Sequence, residues 1–454
     1  ALRAQLIERA GTAARNAGDT DGAIERFELA VELFEREGLT HPAARVSARL
    51  GESMWQRGRL SEALDRMERS YEILSAEEHD EDFAVLASQL GRFDFFAGRV
   101  GSAEERSEVA LDVAEGLWLP EVLSHALNTK ALVLFGAKGR RREAYALMKY
   151  ALDVAIENDI PSATHRSYFN LADMAAQSDR YQEAREYVEL GLAYNRRLGN
   201  RANEWQFLGQ MYPHFALGEW DELLAMLAEI PTDKVAENRL AASALTLLAP
   251  LVHVNRGDLD QAVAAFDTFP PVDESADVQE IANTAAGRAV LDRGRGRSAE
   301  ALAGANKALT YLDETGPAAE QSKEAFVVGL EAALDLGDLG AAEKLLGEIA
   351  AIPRGKRPEF LEAQALRFRA RLADASGDRS DIERLFKAAA GLFREIEFPF
   401  YMSVTMLEHG EWLRAHGREG DAQQLLGEAG EIFARLKARP WTERLEKAIA
   451  TTRA

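Results

Sequence analysis

The chain has 454 residues, 47% of them apolar and 28% charged, with no cysteine and a formal net charge of −21. Lack of cysteine excludes a disulfide framework, thiolate metal sites and a thiol nucleophile, and agrees with a reducing cytoplasm. Net acidity argues against a general nucleic-acid or anionic-membrane surface, because both depend on clustered Lys and Arg.

The chain opens on Ala1-Leu2-Arg3, already inside a helical pattern, so it reads as a segment of something longer. Two stretches then set a rhythm. GDTDGAIERFELA at 18–30 and GRLSEALDRMERSYEIL at 58–74 share a glycine, a short polar gap, an alanine and an apolar stripe. In the second, Ala63, Met67, Ser70, Tyr71 and Leu74 fall on one helical face, and Val46, Leu50, Met54 and Trp55 make a similar face ahead of the glycine. The pattern continues through Gly98, Gly139, Gly218, Gly257, Gly296, Gly337, Gly377 and Gly417, with Asp179 in the glycine's place in the fifth unit. Five residues on stand Ala23, Ala63, Ala103, Ala144, Ala184, Leu223, Ala262, Ala301, Ala342, Ile382 and Ala422. Successive units are 39 to 41 residues apart along the whole chain.

Each residue type has a physical task. Glycine after a helix takes positive φ and turns the chain at once, where a side chain costs ~1–2 kcal/mol. A small residue early in the next helix lets two antiparallel helices approach closely. Each unit is therefore expected to be a helical hairpin whose helices, about 15 residues long, are marginal alone and stable when stacked. The most apolar window, LAASALTLLAPLVHV at 240–254, falls short of the ~20 residues of a spanning helix and is expected to be a buried helix. FPPVDESAD at 269–277 and IPRGKRPEF at 352–360 fall where inter-unit loops are due, so no domain boundary is expected. The last hairpin ends near Lys437, and Pro440-Trp441 begins a short helix that covers the terminal unit. The expected organisation is one array over 1–439, with turns near 18, 58, 98, 139, 179, 218, 257, 296, 337, 377 and 417, and a capping helix over 440–454.

The pairs Leu50-Gly51 and Leu90-Gly91, seven residues before the turn glycines, together with GDTDGAIERFELA, resemble the tetratricopeptide repeat (TPR) over nearly the whole chain. The resemblance implies an all-α, right-handed αα-superhelix of about eleven hairpins. The period near 40 rather than 34 is similar to that of sensor arrays in large bacterial signalling proteins, among them AAA-ATPase-linked adenylate or guanylate cyclases and LuxR-type ATP-binding regulators. The tail IFARLKARPWTERLEKA at 432–448 is similar to the segment that closes such arrays. On that resemblance the chain is a cytoplasmic, non-catalytic binding or sensor module of a larger signal-transduction protein; a stand-alone receptor for a peptide or small-molecule signal is the alternative.

In the TPR pattern, positions 2, 5, 6, 9, 12 and 13 of each first helix face a concave groove that takes a protein, peptide or small ligand. Here those positions hold Gln89, Arg92, Lys130, Arg166, Asn170 and Asp173, polar and locally basic. Further on they hold Trp205, Leu208, Tyr212, Phe215, Leu248 and Leu251, aromatic and apolar. The basic set either clamps a carboxylate or pairs with neighbouring glutamates. The aromatic set either anchors a ligand or forms inter-helix core.

No catalytic signature is present. GRGRS at 294–298 follows a helix, precedes a helix and lacks the GK[ST] ending of a phosphate loop, so it reads as a turn. There is no GxSxG and no HExxH. His409 and His416 stand two helical turns apart, too far for a chelating pair. The sequence thus points to no enzyme activity, no cofactor and no metal site.

Overall fold

The computed structural model describes residues 1–16, 19–56, 59–76, 78–230, 244–268, 278–378 and 380–450. The chain is all-α, a succession of TPR-like hairpins, and no strand occurs among the described residues. Its internal contacts fall into two compact units, residues 1–171 and 172–454.

The first unit holds α1 (Leu2–Asn16), α2 (Thr20–Arg36), α3 (Thr40–Gln56), α4 (Leu60–Leu74), α5 (Glu81–Phe96), α6 (Val100–Leu117), α7 (Pro120–Gly136), α8 (Arg141–Glu157) and most of α9 (Pro161–Ala176). Helices alternate as first and second members of hairpins. First helices touch one another, α3 against α5 and α5 against α7, and second helices make no comparable contact. The first-helix side is therefore the inside of the curve.

The second unit holds α10 (Tyr181–Leu198), α11 (Arg201–Leu208), α12 (Tyr212–Leu217), α13 (Trp220–Leu227), a π-helical turn (Ala244–Leu248), α14 (Ala249–Arg256), α15 (Leu259–Asp267), α16 (Val278–Gly294) and α17 (Ser298–Leu309). After the short α18 (Leu312–Thr315) come α19 (Glu320–Asp335), α20 (Leu339–Ala351), α21 (Glu359–Ser376), α22 (Ile382–Glu395), α23 (Pro399–Ala415), α24 (Glu419–Leu436) and α25 (Arg439–Ala450). The apolar window thus becomes a π turn followed by an α-helix that starts at Ala249, with Pro250 in its first turn, while residues 240–243 and the stretch 269–277 lie outside the described residues. Gly287 on α16 is required at this point, because a Cβ there would stand 1.8 Å from the Thr246 carbonyl oxygen.

The hairpin turns follow one chemistry. Gly98, Gly139, Gly218, Gly257, Gly296, Gly337, Gly377 and Gly417 all have φ between 66° and 82°, and Asp179 has φ 56°; Gly18 and Gly58 lie outside the described residues. All eleven small or apolar residues five places on are at most 1% exposed.

The second unit closes on itself. Its early helices meet its last ones: α12 packs on α23 and α14 on α25. Arg256 Nε donates to the Leu436 carbonyl (3.1 Å), Arg439 Nη2 to the Gly257 carbonyl (2.8 Å) and Trp441 Nε1 to Asn255 Oδ1 (2.9 Å). The middle is filled: Gln321 through Ala333 of α19 and Phe400 through Gly410 of α23 are buried without interruption. Rings of Tyr181, Tyr212, Phe215, Phe360, Phe398 and Tyr401 pack edge-on or tilted at centroid distances of 5.0 to 6.4 Å.

Candidate binding face

The repeat offset reappears as hydrogen bonds between consecutive first helices. In the first unit Glu8 accepts from Arg45 Nη2 (2.8 Å) and Arg49 Nη1 (2.6 Å), 37 and 41 residues away. Glu52 takes Arg15 and, at 3.3 Å, Gln89 Nε2. Between α7 and α9, Arg166 Nη2 donates to Thr129 Oγ1 (2.9 Å) and Nη1 to the His125 carbonyl (3.2 Å). Asn170 Nδ2 donates to Asn128 Oδ1 (2.7 Å), and Asn128 Nδ2 to Ser167 Oγ (3.3 Å). Polar side chains one repeat apart thus build a ladder along the inner face.

The ladder changes sign along its length. Arg45 and Arg49 have acids beside them, whereas among the described residues Arg166, half-buried, meets only Thr129 and His125, both neutral. Burial, then the charge of Arg92, pushes the Arg166 guanidinium well below its ordinary value. Burial, then Arg166 and Arg92, pushes the His125 imidazole down to about 3. Two cations thus press on each other beside a neutral ring in a protein of net charge −21.

The sequence-derived candidates separate. Gln89, Arg92, Arg166 and Asn170 sit half-buried on the first-helix face. Lys130 does not join them, because its ammonium pairs with Glu108 of α6 at 2.6 Å. Asp173 belongs to the second unit, where it accepts from Gln177 Nε2 (2.7 Å) and burial raises its carboxyl. Trp205 is half-buried on α11. Tyr212, Phe215, Leu248 and Leu251 are 0 to 3% exposed, so they are core and not the lining of an open groove. The reason is the closure of the second unit, which fills the space that first helices would otherwise face. Leu251 borders a cavity of about 40 Å³ shared with Val254, Arg293, Tyr401 and Trp441, room for little more than a water.

Sequence reasoning missed His125, Asn128 and Thr129. The signal was available: His125 precedes Arg166 by 41 residues and Asn128 precedes Asn170 by 42. It also missed the charged interior of the second unit. There Glu324 accepts from Tyr212 Oη (2.8 Å) and Tyr401 Oη (2.5 Å). Arg367, fully buried, spans Glu331 and Glu408, meeting the latter at 2.6 and 2.7 Å. Burial pushes the Glu331 carboxyl up, but Arg371, Arg367 and Arg293 outweigh it and hold the group well below the usual carboxylate range.

Two family models agree with the hairpin architecture. One family model for the tetratricopeptide repeat matches residues 2–76 and a second matches residues 165–197, so the chain carries TPR repeats. Among solved structures the chain is similar to a Rap protein complexed with competence and sporulation factor: 12% identity, TM-score 0.45, covering 87% of this chain and 99% of that one. It is also similar to NprR in complex with its cognate peptide NprX (15%, TM-score 0.42, 83% and 99%). A third is the human IFIT1 dimer with m7Gppp-AAAA (14%, TM-score 0.45, 90% of each chain). No curated protein matches the chain. Among the described residues no helix is long and apolar enough to cross a membrane.

Proposed function

We propose that the chain is a non-catalytic binding scaffold, and that the first-helix face of α5, α7 and α9 receives a carboxylate carried by a peptide or small ligand. Arg166 carries the reading: it is a half-buried guanidinium with no acid among its contacts in the described residues, set where Arg92 adds a second positive charge. A guanidinium binds a carboxylate through two parallel N–H donors, a geometry no neutral acceptor supplies. Asn170 beside it, half-buried and anchored through one amide hydrogen to the buried Asn128, keeps a second N–H and a carbonyl oxygen for a peptide backbone. Arrays of helical hairpins commonly serve as extended concave binding surfaces, which supports the scaffold role.

On the resemblance of its forty-residue period to bacterial sensor arrays, the chain acts within a larger cyclase or transcription regulator, and ligand binding alters the activity of the attached domain. A stand-alone receptor is the alternative. An ATP-binding motif with a cyclase or LuxR-type domain, encoded in frame upstream of Ala1, separates the first from the second.

The test is fluorescence polarisation with a library of labelled peptides bearing free C-terminal carboxylates, each beside its C-terminal amide. The expected result is a subset of peptides whose affinity falls at least about tenfold on amidation, and again in Arg166→Ala, in keeping with the loss of a charge-assisted pair. Binding that ignores both changes overturns the reading.

A further inference from the structure

His214 lies on α12, of which Tyr212 through Ala216 are all buried, and its side chain is 0% exposed. Among the described residues neither ring nitrogen has a hydrogen-bond partner. The nearest acid, Glu189 on α10, holds Oε1 4.0 Å from Nε2, beyond hydrogen-bond reach. A buried imidazole left unsatisfied at both nitrogens is costly, and native interiors supply a partner in the great majority of cases. Glu222 on α13 brings a third donor to the same place: one nitrogen and two carboxylate oxygens lie within 4.8 Å of one another.

We propose that Glu189, His214 and Glu222 form a binding site for a divalent transition-metal ion of the Zn²⁺ type, with solvent completing its coordination. An imidazole donor selects such ions over Ca²⁺ and Mg²⁺, which prefer all-oxygen shells. Two carboxylates and a neutral ring balance a dication. Bonds of ~2.0–2.2 Å place ligand atoms a little over 3 Å apart, so the two glutamates close inward by about an ångström. They are free to do so, because Glu222 is exposed and Glu189 half-buried. Arg185, the nearby cation, is held by Glu219 at 2.5 Å and reaches Glu189 Oε1 only through Nε at 3.5 Å. A second group, His41, Asp80 and Asp82, likewise offers one imidazole and two carboxylates, yet its imidazole already has a partner: His41 Nε2 stands 3.2 Å from Asp80 Oδ2. The metal would clip α10 to both helices of the following hairpin, across the Gly218 turn.

The test titrates the whole chain with Zn²⁺ against a chromophoric chelator and follows thermal unfolding with and without Zn²⁺. One equivalent is expected to bind at micromolar concentration and to raise the unfolding temperature, as any native-state ligand does. Glu222→Gln changes an exposed side chain and keeps the fold, and it is expected to weaken Zn²⁺ binding at least tenfold; His41→Ala is expected to leave it unchanged. Absence of stoichiometric binding, persistence of binding in Glu222→Gln, or its loss in His41→Ala overturns the proposal.

Discussion

Lys323 Nζ stands 2.7 Å from Asp179 Oδ1, and both side chains are at most 2% exposed. Asp179 is the one turn residue of the eleven that is not glycine, and it holds φ 56° at a conformational cost glycine would avoid. Its carboxylate explains the exception. Oδ1 also accepts from Tyr181 Oη (2.9 Å), and Oδ2 accepts from the Phe360 amide (3.1 Å), so one side chain ties α10, α19 and α21 together.

Asp179→Gly relieves the backbone but leaves Lys323 buried and unpaired. The expected net loss is about 3–5 kcal/mol, the range for breaking a buried pair from one side. Adding Lys323→Met removes the orphaned charge and recovers most of that loss. Urea unfolding of the two single variants and the double variant measures the coupling; additive losses would deny it.

The pH dependence of the second unit has a defined sign. Burial, then the charge of Asp173, pushes the Glu320 carboxyl up to about 8. Burial pushes Glu324 up to about 7 against hydrogen bonds from Tyr401 and Tyr212. A folded-state pKa above the unfolded value stabilises the fold fully at low pH and loses that contribution as pH rises through the folded pKa. Burial lowers His214 and His409 to about 4, with the opposite sign, yet their contribution is complete above the unfolded value of 6.5. Between about pH 6.5 and 9 the carboxyls therefore dominate. The denaturation midpoint is expected to fall across that window, and more gently in Glu324→Gln. A slope unchanged in that variant would remove Glu324 as its source.

Arg166 gives a stability signature that an ordinary structural arginine lacks. Burial and Arg92 disfavour its charge, and among the described residues no acid repays them. Arg166→Gln is expected to leave the unfolding midpoint unchanged or raised while ligand affinity falls, the pattern of a residue kept for recognition. A clear drop in midpoint would make it structural.

Ala103 tests the packing. It is 0% exposed, and a Cβ on Gly91 of α5 would lie 3.3 Å from its carbonyl oxygen, so α5 and α6 are as close as small residues permit. Ala103→Leu is expected to cost ~1–3 kcal/mol in chemical denaturation.

The hairpin architecture was legible because two local requirements, a left-handed turn residue and a small residue early in the next helix, are written into the chain at a fixed interval. Gly98 and Ala103 illustrate both. The places of Arg166 and Asn170 on a first helix were legible for the same reason, while their partners one repeat away, Thr129 and Asn128, were overlooked. The fate of Tyr212, Phe215, Leu248 and Leu251 was not. Whether a first-helix position faces water or core depends on what lies across the curve, and the side chains opposite Tyr212, Phe398 and Tyr401 among them, are more than 180 residues away. The glutamates and arginines of the interior were hidden likewise, because no period distinguishes Glu324 or Arg367 from a surface charge.

The ring made by residues 172–454 changes how that part of the chain comes apart. An open stack of hairpins can fray from either tip, one repeat at a time. Once Trp441 is bonded to Asn255, Arg439 to Gly257 and Lys323 to Asp179, neither α25 nor the turn before α10 is free to peel. It should melt in a single all-or-none step, and removing the last helix should release helices nearly two hundred residues upstream.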